Sequence, residues 1–231
     1  MDSADDHSMY QNHGTPFNVS YIDGKSRRAI QFGGVQSKGS VTIPANDSLN
    51  LTSEMTVSFW VKLNSYYGRN GDGYNAAKGI HAVFNKGQEG NMSSYIYTDD
   101  SRYCSKYMYD IRIEEYCQEY AYRQPAIDLW MTRTVSTMNP NLKVNKKFEL
   151  GEWNHVAFVI SPSTRKAYIN GVIVTNISAS PFDFSPSNNS DIIIGWLTSE
   201  WYALNGALDD FRMYKSTLTE SDIQALYSQG L

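Results

Sequence analysis

The sequence predicts an all-β fold: two antiparallel sheets packed as a sandwich, with one short helix at the C-terminal end. Three observations predict it. Residues Met55 to Leu63 alternate apolar and polar side chains with period two, the pattern of a half-buried strand. Asn170-Gly171 stands between two runs rich in β-branched residues, the strongest short-range hairpin signal a sequence offers. Charged residues make up only 19% of the chain while Tyr, Asn, Ser and Gly abound, which suits sheets whose outer faces meet water through neutral polar groups.

In chain order, Met55, Val57, Phe59, Val61 and Leu63 share one face of the first clear strand. Between Ser65 and Gln124 the alternation weakens and eleven of the 17 tyrosines gather beside several glycines, so this stretch is expected to hold two or three strands carrying long loops. Loops of that length without their own structure usually carry function or are disordered. His155 to Ile160, the turn at Pro162 to Thr164, and Lys166 to Val174 predict two hairpins in tandem. Asp191 to Gly195 reads as a buried strand, and Ala207 to Tyr214 as another, with Phe211 and Met213 facing one way. The one helix is expected after Thr219: a capping Thr, acids at Glu220 and Asp222 in the first turn, Ile223, Leu226 and Tyr227 on one face, and Gly230 as the stop.

At 231 residues the chain suits a single β-sandwich domain spanning 1–231. With 20 Lys plus Arg against 24 Asp plus Glu, the formal charge is -4, and no basic run is long enough to track a phosphate backbone, so nucleic acid is not an expected partner. No stretch approaches the roughly 20 apolar residues needed to cross a bilayer, and the opening MDSADDHSMY has no apolar signal-peptide core. The expectation is an extracellular or cell-surface domain cut from a longer chain, its export signal removed or upstream. Cys104 and Cys117 lie close enough in sequence for a hairpin or loop to close a disulfide, worth on the order of 3 kcal/mol by chain entropy; two reduced thiols are the alternative. Asn-x-Ser/Thr triplets at Asn18, Asn46, Asn50, Asn91, Asn176 and Asn188 support surface loops.

Several blocks in order carry a resemblance: Asp6-His-Ser8, Asn12 to Thr15, Asp23 to Phe32, Val41 to Pro44, Met55 to Lys62, Gly151 to Ala157, Ala167 to Gly171, Ile194-Gly195, Asn205 to Tyr214 and Leu218 to Tyr227. Together they resemble the laminin G-like jelly-roll domain of the concanavalin A-like lectin/glucanase superfamily. Residues about 65–125 fall outside that resemblance and read as a Tyr-rich insertion. The resemblance implies a jelly roll with its first and last segments adjacent. Phe59, Trp60, Val156, Phe158, Ile169, Ile193, Phe211 and Met213 are expected to supply inward groups, at roughly 1.5–3 kcal/mol for each large side chain buried.

The resemblance also implies a structural calcium ion where those segments meet. The matching positions are Asp6, Asn12, Asp209 and Asp210, with backbone carbonyls and water completing six to eight oxygens. The opening departs from the family pattern, with Met9 where a glycine commonly follows the serine. The alternative is a solvated acidic tail and an Asp209 that caps a local turn. The four histidines show no metal-ligand spacing.

For function, no paired-carboxylate run of the glucanase type, E-x-D-x-(x)-E, is present, and no nucleophile motif stands out. Glu114-Glu115 and Glu119 read as a solvated edge. Binding has better material: Trp196, Trp201 and Tyr202 flank one loop, and Tyr66, Tyr67, Tyr74, Tyr95, Tyr97, Tyr103 and Trp130 enrich the inserted region. Aromatic rings stack on sugar faces while tyrosine hydroxyls add hydrogen bonds. Taken singly, such aromatics are equally sheet residues, with Trp130 and Trp153 in the core. The expectation is a non-catalytic module that binds glycans or mediates cell-surface adhesion. The alternative is a protein-interaction or spacer domain of a larger surface protein.

Overall fold

A computed structural model describes residues 4–25, 27–50, 54–65, 80–86, 92–94, 104–105, 109–117, 123–131, 142–145, 148–179, 189–196 and 203–229. Among the described residues the strands are β1 (Thr15–Phe17), β2 (Ser20–Asp23), β3 (Arg28–Gly33), β4 (Ser40–Ile43), β5 (Met55–Leu63), β6 (Ile80–Lys86), β7 (Met92–Ser94), β8 (Cys104–Ser105), β9 (Tyr109–Cys117), β10 (Arg123–Met131), β11 (Leu142–Asn145), β12 (Trp153–Ile160), β13 (Thr164–Ile169), β14 (Val172–Ser178), β15 (Ile192–Ile194) and β16 (Asn205–Tyr214). A single helical turn, α1 (Gly34–Ser37), precedes β4, and the expected terminal helix is α2 (Glu220–Gln229).

Two antiparallel sheets form the sandwich. Sheet A runs β1-β4-β15-β6-β9-β10-β11 and sheet B runs β14-β13-β12-β5-β16-β3-β2, while β7 and β8 pair separately. The all-β jelly-roll expectation holds. The Tyr-rich stretch carries strands, as expected, and two of them, β6 and β9, lie inside sheet A, where β6 pairs with β15.

The core lies between the sheets. Met55, Val57, Phe59, Val61 and Leu63 of β5 all join it, with Val156, Phe158 and Ile160 from β12 and Val83, Phe84, Ile192 and Ile194 from sheet A. Phe211 and Met213 pack against it, past a bulge that shifts the register between Asp209 and Arg212. Two expected inward residues are not there. Trp60 follows Phe59 on a strand, so alternation sends it to the outer face of sheet B, where it is nonetheless buried. Ile193, between core residues Ile192 and Ile194, faces out of sheet A and is half-buried. Trp153 is also half-buried rather than core, with the Lys62 ammonium 5.0 Å from its ring centre.

Helix α2 covers the outer face of sheet B. Thr219 caps it as expected: its Oγ1 accepts from the Asp222 backbone N–H at 3.2 Å, and the Asp222 carboxylate accepts from the Thr219 N–H and hydroxyl at 2.8 and 2.7 Å. Ile223 and Leu226 bury against Ala157, Val159 and Tyr168. Tyr227 stacks on Trp60, ring centres 5.6 Å apart. The Asn170-Gly171 turn joins β13 to β14 with both residues left-handed, φ 51° and 77°, as a two-residue hairpin of the favoured twist requires.

Candidate functional site

Two neighbouring rows of residues cross sheet A, and their contrast defines the candidate site. One row, Val41-Ile194-Phe84-Ile111-Leu129-Leu142, is apolar on every strand from β4 to β11. Val41, Ile194 and Phe84 belong to the core, so this row marks the inward face. The next row, Thr15-Thr42-Ile193-Asn85-Asp110-Trp130, is shifted by one residue on each strand and therefore belongs to the outward face. The same alternation puts Arg112, Glu114 and Tyr116 of β9, Asp128, Ala126 and Gln124 of β10, and Lys143 and Asn145 of β11 on that outward face.

Asn85 stands in the middle of the outward row. It is only 1% exposed, its Nδ2 donates to the Trp196 carbonyl at 3.2 Å, and its Oδ1 has no hydrogen-bond partner among the described residues. That bond holds Trp196 beside the face. Trp196 and Ala203 form an antiparallel bridge, the Gly195 N–H donates to the Val83 carbonyl, and the Leu204 N–H donates to the Gly195 carbonyl. Gly195 has φ 85°, and a Cβ there would run into the Phe32 ring, so only glycine lets the chain leave β15 in this direction.

Of the aromatic residues expected to bind ligand, the structure thus places half-buried Trp196 at the border of this face. Tyr66, Tyr67, Tyr74, Tyr95, Tyr97, Tyr103, Trp201 and Tyr202 lie outside the described residues, as do the side chains of Cys104 and Cys117. Trp130 pairs with Asp110 in the register of β10 and β9, and its side chain lies outside the described residues. Sequence reading missed Asn85, Asp110, Arg112 and Asp128. Their signal was the alternation of Tyr109 to Tyr116 against Ile111 and Ile113, hidden by the tyrosines and glycines around it.

Carboxylates share this outward face, which spacing alone did not reveal. No two stand directly opposite each other: Asp110 is flanked by Asn85 and Trp130, Glu114 by Ile80 and Ala126, and Asp128 by Arg112 and Lys143. Asp110 and Glu114, four residues apart on one strand, are separated by about 13 Å. Asp128 stands diagonally across from both, at about 7–8 Å between backbone positions.

The expected calcium ligands fall into three hydrogen-bonded sets. The Asp6 carboxylate accepts from the Ser8 N–H, the Ser8 hydroxyl and the Asn12 N–H, each at 2.8 Å. Partial burial pushes the Asp6 carboxyl up, but these bonds and the nearby His13 outweigh it and hold the group below the usual carboxylate range. The Asn12 amide is engaged by Ser48, through Nδ2 at 2.9 Å and Oδ1 at 3.1 Å. Asp209, 2% exposed, accepts from the backbone N–H of Lys25 at 2.7 Å and of Asp210 at 2.8 Å. Asp210, at φ 50°, pairs with Arg212 at 2.7 Å. Among the described residues no group of three or more His, Cys, Asp or Glu is gathered to hold a metal ion. Calcium needs six to eight oxygens turned on one point. As placed, each of these four residues is engaged by donors or partners within the protein.

A family model described as the concanavalin A-like lectin/glucanases superfamily matches residues 33–224, a span that holds β4 to β16. The chain belongs to the concanavalin A-like lectin/glucanase superfamily. No curated protein matches it. Among solved structures, this superfamily member is similar to domain 4 of an extracellular arabinanase from Geobacillus stearothermophilus, solved with arabinotriose. The TM-score is 0.64 at 20% identity, over 98% of this chain and 93% of that one. It is also similar to the botulinum neurotoxin serotype G binding domain (TM-score 0.66, 13% identity, 97% of this chain) and to the neurotoxin DC binding domain in complex with SialylT (TM-score 0.63, 14% identity, 98% of this chain). The chain spans about half of each toxin domain, 48%. At these identities the likeness is one of fold.

Proposed function

We propose that this chain is a non-catalytic glycan-binding module, working outside the cell as one domain of a larger protein. The observation that carries the reading is the outward row of sheet A, where Asn85, Asp110 and Trp130 follow one another across three strands. An amide, a carboxylate and an indole are the groups that hold a sugar: donors and acceptors for its hydroxyls, and a flat ring for its C–H face. Support from similarity is of the same kind, since one related structure holds arabinotriose and another is a complex with SialylT. Among the described residues no helix is long and apolar enough to cross a membrane.

A second reading, docking of a protein partner for cell-surface adhesion, is favoured by the N-terminal loop. It is braced by the Asp6 bonds and by a Gly14 N–H bond to the Ala4 carbonyl at 2.8 Å, and it displays Met9 and Tyr10 at 88% and 59% exposure. A glycan array tests the first reading. Reproducible binding to one sugar class supports it; silence on the array together with capture of a surface protein through Met9 and Tyr10 replaces it with the second.

A further inference from the structure

Helix α2 closes over a histidine that its packing leaves short of a partner. The outward row of sheet B runs His155-Trp60-Asp209 across β12, β5 and β16. His155 is 1% exposed. Its Nε2 meets the Ser58 hydroxyl at 2.9 Å, while its Nδ1 is buried with no hydrogen-bond partner among the described residues. Tyr227 of α2 packs beside this ring, centres 6.1 Å apart, and stacks on Trp60. The same end of α2 rests on the β13–β14 turn, where a Cβ at Gly171 would run into Gln224 and Tyr227. The turn is tied to the histidine in its own right, since the Asn170 Oδ1 accepts from the His155 N–H at 2.9 Å.

A proton added to this ring enters surroundings built against it. From β16, Arg212 stands opposite Ser58, with Asp210 paired to it at 2.7 Å, and Asp209 lies beyond Trp60 with its carboxylate held by the Lys25 and Asp210 N–H groups. The turn between β2 and β3 sets the Lys25 ammonium 4.8 Å from the Trp60 ring centre, and β5 sets that of Lys62 5.0 Å from Trp153. Tyr168 comes from β13, and α2 brings Tyr227 and Gln224, its acids Glu220 and Asp222 lying in its first turn. Burial, with Arg212, holds the imidazole neutral, its pKa lowered from 6.5 to about 4. A charged ring is relieved where water reaches it, and lifting α2 is the way that disturbs least. The buried contacts of α2 form a small cluster, Ile223 and Leu226 on Ala157, Val159 and Tyr168, separate from the main core. Elements held by few buried contacts open ahead of the whole fold. We propose that His155 and α2 form an acid-sensitive latch: protonation of the imidazole raises the fraction of molecules in which α2 lifts from sheet B while the sandwich stays folded.

The closed state refuses a proton that the open state takes up at the ordinary histidine value, so closure is fully favoured above about pH 6.5 and weakens as pH falls toward 4. The open fraction is expected to rise about twentyfold between pH 7 and pH 5. In that window Asp222 stays ionised and the α2 cap intact, because bonds from the Thr219 hydroxyl and N–H hold its carboxyl below the usual range. Hydrogen exchange of the whole chain, read peptide by peptide and corrected for the intrinsic effect of pH, tests the latch in wild type and His155→Gln. Protection of residues 220–229 should fall about twentyfold in the wild type while β5 and β12 keep theirs, and by less than about threefold in His155→Gln. Unchanged protection of α2 in the wild type overturns the proposal, as does a loss shared in step with β5 and β12, or a fall that persists in full in His155→Gln. Should His155→Gln fail to fold, the wild-type contrast between α2 and the strands decides, together with an NMR titration of the imidazole. A ring that titrates near pH 6.5 with α2 still protected overturns the latch.

Discussion

Replacing His155 by glutamine should remove a large part of the pH dependence of folding. His155 is 1% exposed, lies 5.3 Å from the Trp60 ring centre and 6.1 Å from that of Tyr227, and its Nε2 is 2.9 Å from the Ser58 Oγ. Burial, aided by the positive Arg212, lowers its pKa from 6.5 to about 4. A base depressed in the folded state favours folding fully above pH 6.5, and that contribution is lost as pH falls toward 4, because the unfolded chain takes up a proton the folded chain refuses. Each factor of ten in proton affinity is worth about 1.4 kcal/mol, so the loss between pH 7 and pH 4 amounts to about 3 kcal/mol. Domains of this kind have about 5–15 kcal/mol in all. Urea unfolding of wild type and His155→Gln at pH 7, 6, 5 and 4 isolates the effect, since the carboxylates titrate in both. The wild-type stability minus that of the variant should fall by about 3 kcal/mol across the range. A difference that stays flat within about 0.5 kcal/mol would refute the assignment of a neutral, sealed imidazole.

Three other outcomes follow from the same structure. Gly195→Ala forces a Cβ into the Phe32 ring at φ 85° and should cost about 2 kcal/mol or more in urea unfolding; a neutral result would mean the β15 exit is not held as described. Asp209→Ala strips an acceptor from the Lys25 and Asp210 N–H groups at a buried position and should cost about 2–4 kcal/mol, while an effect under about 0.5 kcal/mol would show that water replaces it. A calcium site shared by Asp6, Asp209 and Asp210 is tested by the melting temperature in EDTA against that in millimolar calcium: a rise of several degrees that Asp6→Ala or Asp209→Ala abolishes supports it, and a match within about 1 °C discards it.

The parts of the fold that sequence made legible are those where local and long-range demands agree. On β5 the period of two is uninterrupted, and all five predicted residues reach the core. At Asn170-Gly171 the turn residues and the flanking β-branched runs ask for the same hairpin. Thr219, Glu220 and Asp222 announce α2 by capping and charge. Trp60 misled because hydrophobicity was read without its parity: α2 hides it from water on the wrong side of its sheet for the main core. The site failed for a different cause. Asp110 and Trp130 are 20 positions apart in the chain and become neighbours only through the pairing of β9 with β10. Nothing in either segment alone specifies that register, and the inward Ile111, Ile113, Ile127 and Leu129 reveal it only once the two strands are laid side by side.

The two outer faces of the sandwich are built for opposite purposes. On sheet B the row His155-Trp60-Asp209 is closed by Tyr227 from α2, by the Lys25 ammonium 4.8 Å from the Trp60 ring centre, and by the backbone bonds to Asp209. Every group there serves packing, so substitution is read out as lost stability. On sheet A the outward row runs from threonines through an isoleucine and an amide to a carboxylate and an indole, a sequence with little to gain from burial against another element. Within that row Ile193 is half-buried and Asn85 is buried, its Nδ2 held by the Trp196 carbonyl, so what fixes this end of the face is a polar bond to the segment leaving β15 and not a helix laid across the sheet.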